Sequence, residues 1–232
     1  LDETNKAFSY WNTANVGFMN PVPAMFGTDT IIPDVISDYL KYFKGNKDLF
    51  NQEKKIAIVG TRKASRTGRI IAYQLAKELS RQNIIVVSGL ASGIDRAAHE
   101  GSLKGLAKTI AILGHGLHIV YPAENKGLAH QIIENNGLLI SEYQPGHDIA
   151  PQQFLERNRL ISGLCQGIII VEAPERSGAL NTATHALDQN REVFVVPGSI
   201  TDPNYIGSNS LIKQGACLIT SAQDVLDVIN FK

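Results

Sequence analysis

The chain has 232 residues, 44% of them hydrophobic, so it can bury the core of one large domain with room for a small appendage. Its 22 Lys and Arg balance its 22 Asp and Glu. The zero net charge excludes a polycation, so any nucleic acid must bind to a local patch rather than through global attraction. No apolar run reaches membrane-spanning length and no signal sequence opens the chain, which starts at Leu1 and is expected to be a fragment of a cytoplasmic protein without membrane contact.

Two parts of the chain differ in pattern. Residues 1–50 lack clean periodicity and are predicted to be an irregular lead-in or the remnant of an N-terminal module. Residues 51–232 alternate short β-branched runs with helical patterns. Strands are predicted near 55–60, 84–88, 108–113, 137–141, 167–172, 192–196 and 216–219. Helices are predicted near 67–82, 93–104, 124–135, 152–163, 178–189, 206–214 and 221–229.

The strand patterns identify the fold class. Runs such as residues 56–60 are apolar on both faces, as expected for a parallel sheet covered by helices on both sides. We therefore predict an α/β fold with a doubly wound, Rossmann-like, mostly parallel sheet. In such a fold, ligands bind outside the carboxyl ends of the strands.

The turns after the first two predicted strands contain residues that suit an anion. Gly60, Thr61 and Arg62 follow the first strand, and Ser88 and Gly89 end the second. Glycines let a backbone approach a ligand closely, a helix N-terminus offers free N–H groups, and Arg62 adds a fork for phosphate. Plain turn geometry also explains the glycines, and a solvated surface charge also explains Arg62. Residues 54–81 hold eight Lys or Arg against one acid, which favours a phosphate-rich ligand.

Further cations follow along the chain. Lys126 starts or precedes a helix, where a cation opposes the helix dipole, so either a ligand selects it or it is an ordinary exposed lysine. Arg157, Asn158 and Arg159 interrupt an apolar helix pattern. They are predicted either to contact phosphates or bases, or to supply a buried Arg that pairs with Glu142 or Glu172.

The sequence contains no recognisable pattern of catalytic residues. The turn after the first strand is neither G-x-G-x-x-G nor a P-loop, which argues against nicotinamide and P-loop nucleotide enzymes. Asp95 is expected to charge the first turn of its helix with His99 as its partner, although the pair could also orient an acid/base histidine. Glu142 and Glu172 end strands and are expected to hold glycine-rich loops. The alternative function is a Rossmann-like nucleotide or N-glycoside hydrolase that uses one of these two glutamates.

Metal and cofactor sites are not expected either. His115 and His118 share a loop without a completing ligand. Cys165 and Cys217 lie far apart in the chain, without Cys or His at metal-ligand spacing, and are predicted to be reduced thiols. We therefore predict a binding protein that is not an enzyme and needs no metal or cofactor.

Eight motifs together resemble the DNA-processing protein A (DprA/Smf) family over residues 43 to about 228. They read IVGTRKA, VVSGLASGIDRAAH, LGHGLHIVYPAENK, LISEY, RNRLISGL, VEAPERSGALNTA, VFVVPGSI and SLIKQGACLITSAQDVL. The resemblance implies an extended Rossmann fold that binds single-stranded DNA, protects incoming strands during natural transformation and helps to load the RecA recombinase. By this similarity, the DNA phosphate contacts are Arg62, Lys126 and Arg159, and the same pocket is lined by Gly60, Thr61, Ser88 and Gly89.

The resemblance also implies a homodimer. We expect its interface in the C-terminal part of the sheet, where Leu187, Ile212 and Leu218 are apolar. Two departures from the family pattern stand out. Residues 1–42 do not clearly match the usual N-terminal helical module, and the chain ends at Lys232, where some members continue into a winged-helix-like extension.

Overall fold

The computed structural model describes residue 40 and residues 42–229. These residues belong to one structural unit, Ile32–Lys232. The other unit, Leu1–Ile31, and most of the predicted lead-in therefore lie outside the described residues.

The described residues form one eight-stranded sheet with the order β1-β5-β4-β3-β2-β6-β7-β8. All strands run parallel except β1, which pairs antiparallel with β5 at the edge of the sheet. The strands are β1 (Tyr42–Gly45), β2 (Lys55–Val59), β3 (Ile85–Ser88), β4 (Thr109–Leu113), β5 (Leu138–Ser141), β6 (Gly167–Ile170), β7 (Glu192–Val195) and β8 (Cys217–Leu218). The predicted doubly wound, mostly parallel sheet is confirmed.

Helices cover both faces of this sheet. They are α1 (Arg66–Arg81), α2 (Ile94–Ser102), α3 (Lys126–Glu134), α4 (Pro151–Gly163), α5 (Gly178–Asp188), α6 (Ile206–Lys213) and α7 (Ala222–Val228). Short 3-10 turns occupy Lys47–Asn51, Ala123–Asn125 and Pro203–Tyr205. Within the described residues, no helix is both long and apolar enough to cross a bilayer.

The alternation of side chains along β2 explains the two layers. Ile56 and Ile58 face α1, α2 and α7, whereas Ala57 and Val59 face α4 and α5. All four side chains are buried, because a parallel strand in the middle of a sheet has helices on both sides. The continuous apolar runs of the sequence therefore follow directly from the architecture.

The edge strand β1 is the element that the sequence analysis did not predict. Tyr42–Gly45 pairs with Leu138–Ser141, so part of the predicted lead-in belongs to the sheet. Three of its four residues are exposed, including Phe43, and the strand contains a lysine and a glycine. An exposed edge strand needs no apolar run, which is why periodicity did not reveal it.

The strand order places a crevice next to β2. From β2 the chain builds outward through β3, β4 and β5 on one side, then returns to build β6, β7 and β8 on the other. The loops that leave β2 and β6 therefore diverge to opposite faces of the sheet. Such a reversal opens a crevice at the carboxyl ends of the two strands, which is the usual ligand site of this architecture.

Candidate functional site

A pocket of about 430 Å³ lies at the carboxyl ends of β2 and β6. Four segments form it: the loop after β2, the loop after β3 with the start of α2, the loop after β6 with the N-terminal part of α5, and one face of α4. Four cations line the pocket, namely Arg62, Lys63, Arg157 and Arg176, together with one acid, Asp95. The pocket is therefore basic although the whole chain is neutral.

The loop after β2 is held in place by Glu172, at the end of β6. The Thr61 N–H donates to the Glu172 carbonyl at 2.7 Å, and the Glu172 carboxylate accepts hydrogen bonds from the backbone N–H and hydroxyl of Ser65. A side chain at Gly60 would come within 2.9 Å of that same carbonyl, so this close approach requires glycine. Glu172 therefore holds a glycine-containing loop in place, as the sequence predicted. Within this loop, the side chain of Arg62 is exposed at the rim of the pocket.

An aromatic cluster adjoins Arg62. The Arg62 guanidinium carbon lies 5.2 Å from the ring centre of Phe154, and the Tyr121 ring lies 5.5 Å from the same ring. Phe154 is half-buried and Tyr121 is about half exposed. The sequence analysis assigned no role to Phe154. Its position three residues before Arg157, on one face of α4, is the signal that could have revealed it.

Arg157 forms part of the pocket floor and is only 3% exposed. Its Nη1 donates to the Gly89 carbonyl at 2.8 Å and to the Ile112 carbonyl, thereby joining the ends of β3 and β4 to α4. Burial lowers the pKa of Arg157 to about 10, and the nearby Asp95 carboxylate opposes this shift. The side chain thus stays charged at neutral pH.

Ser88 and Gly89 lie beside this floor and do not line the pocket themselves. The Ser88 hydroxyl is buried and donates to the Ile58 carbonyl at 2.7 Å, and the Gly89 N–H donates to Asp95 at 3.1 Å. The polar groups of this turn are therefore engaged within the protein. Their predicted contact with phosphate stays a prediction.

The two other predicted phosphate contacts lie outside the pocket lining. Arg159, which is partly buried, forms an ion pair with Glu142 at 2.7 Å, and its predicted contact with phosphate stays a prediction. Lys126 is exposed at the first position of α3. The preceding Asn125 donates to the Leu90 carbonyl at 2.8 Å and so ties this helix start to the loop after β3.

The basic segment of residues 54–81 does not form one patch. Lys55 is buried at the start of β2, at the opposite edge of the sheet from Arg62. Arg81 ends the 16-residue helix α1, which extends about 24 Å away from the pocket edge. Only the cations near the loop after β2 can act together on one ligand.

The structure corrects the predicted Asp95–His99 pair. Asp95 accepts hydrogen bonds from the N–H groups of Gly89 and Ala91, whereas His99 contacts the Thr109 hydroxyl through Nδ1 at 2.8 Å. The Thr109 hydroxyl donates its proton to Val86, so Nδ1 of His99 must be the donor. Burial lowers the pKa of His99 to about 3, and this histidine is a structural group.

The two glutamates of the hydrolase alternative, Glu142 and Glu172, are not part of an assembled catalytic site. Glu172 is occupied by Ser65 and Glu142 by Arg159, and neither glutamate lines the pocket. Within the described residues no cluster of His, Cys, Asp or Glu could hold a metal ion, and Cys165 and Cys217 are free thiols.

The residues predicted at a dimer interface differ in exposure. Leu187, on α5, is 60% exposed and Leu218, on the edge strand β8, is 47% exposed. Ile212, on α6, packs partly against the core. The assignment of these three residues to an interface stays a prediction.

Comparison with known proteins identifies relatives over most of the chain. A family model described as DNA recombination-mediator protein A matches residues 36–230. The chain is 44% identical over 192 residues to the DNA processing protein DprA of Streptococcus pneumoniae, covering 83% of this chain and 67% of that protein. It is 43% identical to DprA of Bacillus subtilis, covering 80% of this chain and 62% of that protein.

Comparison with solved structures identifies the same family. The crystal structure of Streptococcus pneumoniae DprA superposes with a TM-score of 0.76 at 43% identity, over 82% of this chain and 66% of that one. The DNA processing protein A of Helicobacter pylori, described as binding single-stranded DNA, superposes with a TM-score of 0.73 at 33% identity, over 80% of this chain and 84% of that one. None of these names is that of an enzyme. The chain thus spans about two thirds of the length of its streptococcal and bacillar relatives.

Proposed function

The chain belongs to the DNA recombination-mediator protein A family, and from that premise we propose that it binds single-stranded DNA in the pocket between β2 and β6. The observation that carries this proposal is the joint position of exposed cations and an accessible aromatic ring at one pocket. Proteins that bind single strands combine a positive groove for the backbone with aromatic rings on which bases stack. The description of the Helicobacter pylori relative as a single-stranded DNA-binding protein supports it.

The rim of the pocket suits the phosphodiester backbone. Arg62, Lys63 and Arg176 are exposed there, and Arg176 directly precedes the N-cap of α5, Ser177. A helix N-terminus and a guanidinium both favour an anion, so two edges of the pocket attract phosphate. We propose that Arg62 is the main phosphate contact and that Lys126 and Arg159 extend the path of the strand, as the family resemblance implies.

The interior of the pocket suits bases that are not paired. The Phe154 ring is accessible beside Arg62, and a base can stack on it only when it has left a duplex. The lining comes from three loops and one face of α4, so no protruding helix is presented that could enter the major groove of a duplex. We therefore expect single strands of mixed sequence to bind more tightly than duplex DNA.

The cellular role follows from the family. We propose that the chain protects incoming single strands during natural transformation and helps to load RecA onto them, and that it acts as a homodimer in the cytoplasm. The dimer proposal is supported by two exposed leucines, Leu187 on α5 and Leu218 on the edge strand β8.

A salt-dependent titration tests the binding proposal. The chain is titrated with a single-stranded oligonucleotide of mixed sequence and with the same sequence as a duplex, between about 50 and 200 mM salt. We expect the single strand to bind more tightly at every salt concentration, with an affinity that falls linearly on a double logarithmic scale. Equal affinity for the two forms at moderate salt would contradict the proposal.

A further inference from the structure

The edge strand β1 has a free outer side and lies far from the pocket between β2 and β6. It is the terminal strand of the sheet, and within the described residues no further strand pairs with it. Strands β5, β4 and β3 separate β1 from β2, so the two regions lie at least about 19 Å apart at the usual spacing between strands. A ligand at β1 would therefore leave the pocket open.

The backbone polar groups of Phe43 point away from the sheet. The Asn46 N–H donates to the Gly137 carbonyl at 2.9 Å, which fixes the alternation of the antiparallel ladder between β1 and β5. By that alternation, the residues two and four positions before Asn46 bond to β5, whereas Phe43 lies opposite Ile140 in a pair without hydrogen bonds. The N–H and C=O of Phe43 are thus turned outward, where an added strand would meet them.

The same strand borders an apolar groove of about 270 Å³. The groove lies on the face of the sheet that β1 turns away from α3, and its apolar lining is Leu40, Phe43, Phe50, Leu138 and Ile140. Phe43 is 49% exposed, so its ring presents apolar surface to solvent. A groove of this size falls below the usual range for small-molecule pockets and suits the side chains of a peptide.

The two faces of β1 differ in chemistry. Phe43 faces the groove, whereas Lys44 points to the α3 face of the sheet, where it lies opposite Leu139. Lys44 is exposed, and the groove is also lined by Lys47 and Asp48, so the described cations of this edge outnumber its acid. An apolar face and a basic face along one edge match a strand in which apolar and acidic residues alternate.

We propose that β1 binds an extended acidic segment of a partner protein as an added strand. Apolar side chains of the segment enter the groove beside Phe43, acidic side chains face Lys44, and the main chain pairs with the outward N–H and C=O of Phe43. A second copy of the chain is a poorer occupant. Two copies paired edge to edge about a two-fold axis at Phe43 would bring their Lys44 side chains together on one face. This surface is separate from the proposed DNA site, so either proposal can fail without the other.

The test uses two fluorescein-labelled peptides of the same composition. The probe has the alternating sequence Asp-Ile-Glu-Phe-Asp-Ile-Glu, and the control has the acidic and the apolar residues in separate blocks. Binding to the whole chain is followed by fluorescence anisotropy. We expect the alternating peptide to bind about 10-fold more tightly than the control, with an affinity that falls as salt screens the acidic residues. Equal affinities, or no binding of either peptide, would overturn the proposal.

Two substitutions at Phe43 separate the side chain from the backbone. Phe43→Ala removes the ring beside the groove and should weaken the alternating peptide about 10-fold. Phe43→Pro also removes the outward N–H but no hydrogen bond of the β1–β5 ladder, so binding should fall by about a further 5-fold. Lys44→Glu should weaken the peptide about 5-fold, whereas the matched control Lys104→Glu, at an exposed lysine beyond α2, should leave it unchanged.

Two results with these variants would overturn the proposal. If folded Phe43→Pro binds the peptide as tightly as Phe43→Ala, the peptide does not pair with β1. If Phe43→Pro changes the oligomeric state in sedimentation, the occupant of this edge is a second copy of the chain.

Should Phe43→Pro not fold, N-methylated peptides decide on the unchanged protein. One alternating peptide is N-methylated at its apolar residues and another at its acidic residues. In an added strand only every second N–H faces β1, so only one of the two peptides should lose its binding. If both or neither lose it, strand addition at β1 is overturned.

Discussion

Two arginines of helix α4 lie in different electrostatic surroundings. Arg157 lies in a pocket with an excess of cations, whereas Arg159 forms an ion pair with a glutamate. The pocket between β2 and β6 gathers four cations around a single acid, and Arg157 keeps donors that make no hydrogen bond within the described residues. Beyond the carboxyl end of β5, Arg159 is matched by Glu142 at 2.7 Å. The two residues are separated by one position in the sequence. The difference teaches that a phosphate at Arg159 would compete with Glu142 for this arginine, whereas within the described residues no ion pair engages the exposed cations at the pocket rim.

The largest effect is expected at the rim of the pocket. The double variant Arg62→Ala/Phe154→Ala removes a phosphate contact and a stacking surface, so single-strand affinity should fall by about 2–4 kcal/mol. Phe43→Ala, which truncates an exposed aromatic on β1, serves as the control and should change the affinity little. Titration by anisotropy, with circular dichroism to verify folding, measures both. Unchanged affinity in a folded double variant would place the binding site elsewhere.

The next effect concerns assembly. The double variant Leu187→Glu/Leu218→Glu places charges on exposed leucines of the proposed interface, so it should stay folded and become monomeric. Two pockets on one strand give avidity, so affinity for long oligonucleotides should fall about 100-fold while short ones bind nearly as before. We prefer these positions to Ile212, because Ile212 packs partly against the core.

Leu106→Glu is the control for this double variant, since Leu106 is 71% exposed and lies outside the proposed interface. Analytical ultracentrifugation gives the oligomeric state of each protein. If the unchanged protein sediments as a monomer at high concentration, the dimer proposal is wrong.

The buried histidine makes stability depend on acid. His99 has an ordinary pKa of 6.5 that burial lowers to about 3, so the folded state binds its proton less readily than the unfolded state. Its contribution to stability is complete above pH 6.5 and is lost as the pH falls toward 3, at roughly 1.4 kcal/mol per pH unit. Urea unfolding at pH 7 and pH 5 should therefore show a loss of about 2 kcal/mol from this residue.

The variant His99→Gln isolates that contribution, because other groups titrate over the same range. Gln can still donate to the Thr109 hydroxyl but does not titrate. Its stability should be lower at pH 7 and should depend less on pH between 7 and 5. An identical pH dependence in the two proteins would show that His99 is not the group responsible.

The paired region can be tested through Glu142. Glu142→Gln leaves Arg159, whose side chain is 17% exposed, without its carboxylate, so the free energy of unfolding should fall by about 1–2 kcal/mol. Glu124→Gln changes an exposed carboxylate that accepts from Ser92 and should cost less than about 0.5 kcal/mol. Equal stability of the two variants in urea would mean that the Glu142–Arg159 pair contributes nothing.

The sequence predicted the sheet and most of the strands and helices, because a parallel strand that is buried on both faces has a continuous run of apolar residues. It also predicted Gly60, Thr61 and Arg62 at the pocket, since the carboxyl end of a strand in this architecture is a ligand site. The edge strand β1 and the pocket role of Phe154 were not predicted, because each depends on contacts between segments distant in the chain.

The partners of charged residues were the least predictable feature. The sequence placed Asp95 and His99 one helical turn apart, yet Asp95 turns to the loop after β3 and His99 to Thr109 on β4. The spacing of residues on a helix indicates which side chains share a face. It does not indicate whether a neighbouring strand or loop offers these side chains a better hydrogen bond than they would make with each other. Likewise, the pairing of Arg159 with Glu142 was only one of two alternatives that the sequence left open.

The smallest expected effect belongs to Lys126, which lies outside the pocket lining at the start of α3. If the strand continues from the pocket to this helix, Lys126→Ala removes one phosphate contact. The slope of log affinity against log salt should then flatten by about 0.7, with nearly the same loss for every sequence, because a phosphate contact carries no base information. Lys104→Ala, an exposed lysine just beyond the end of α2, is the matched control and should leave the slope unchanged. Should both variants bind with the slope of the unchanged protein, the strand leaves the pocket in another direction and the contact predicted for Lys126 is wrong.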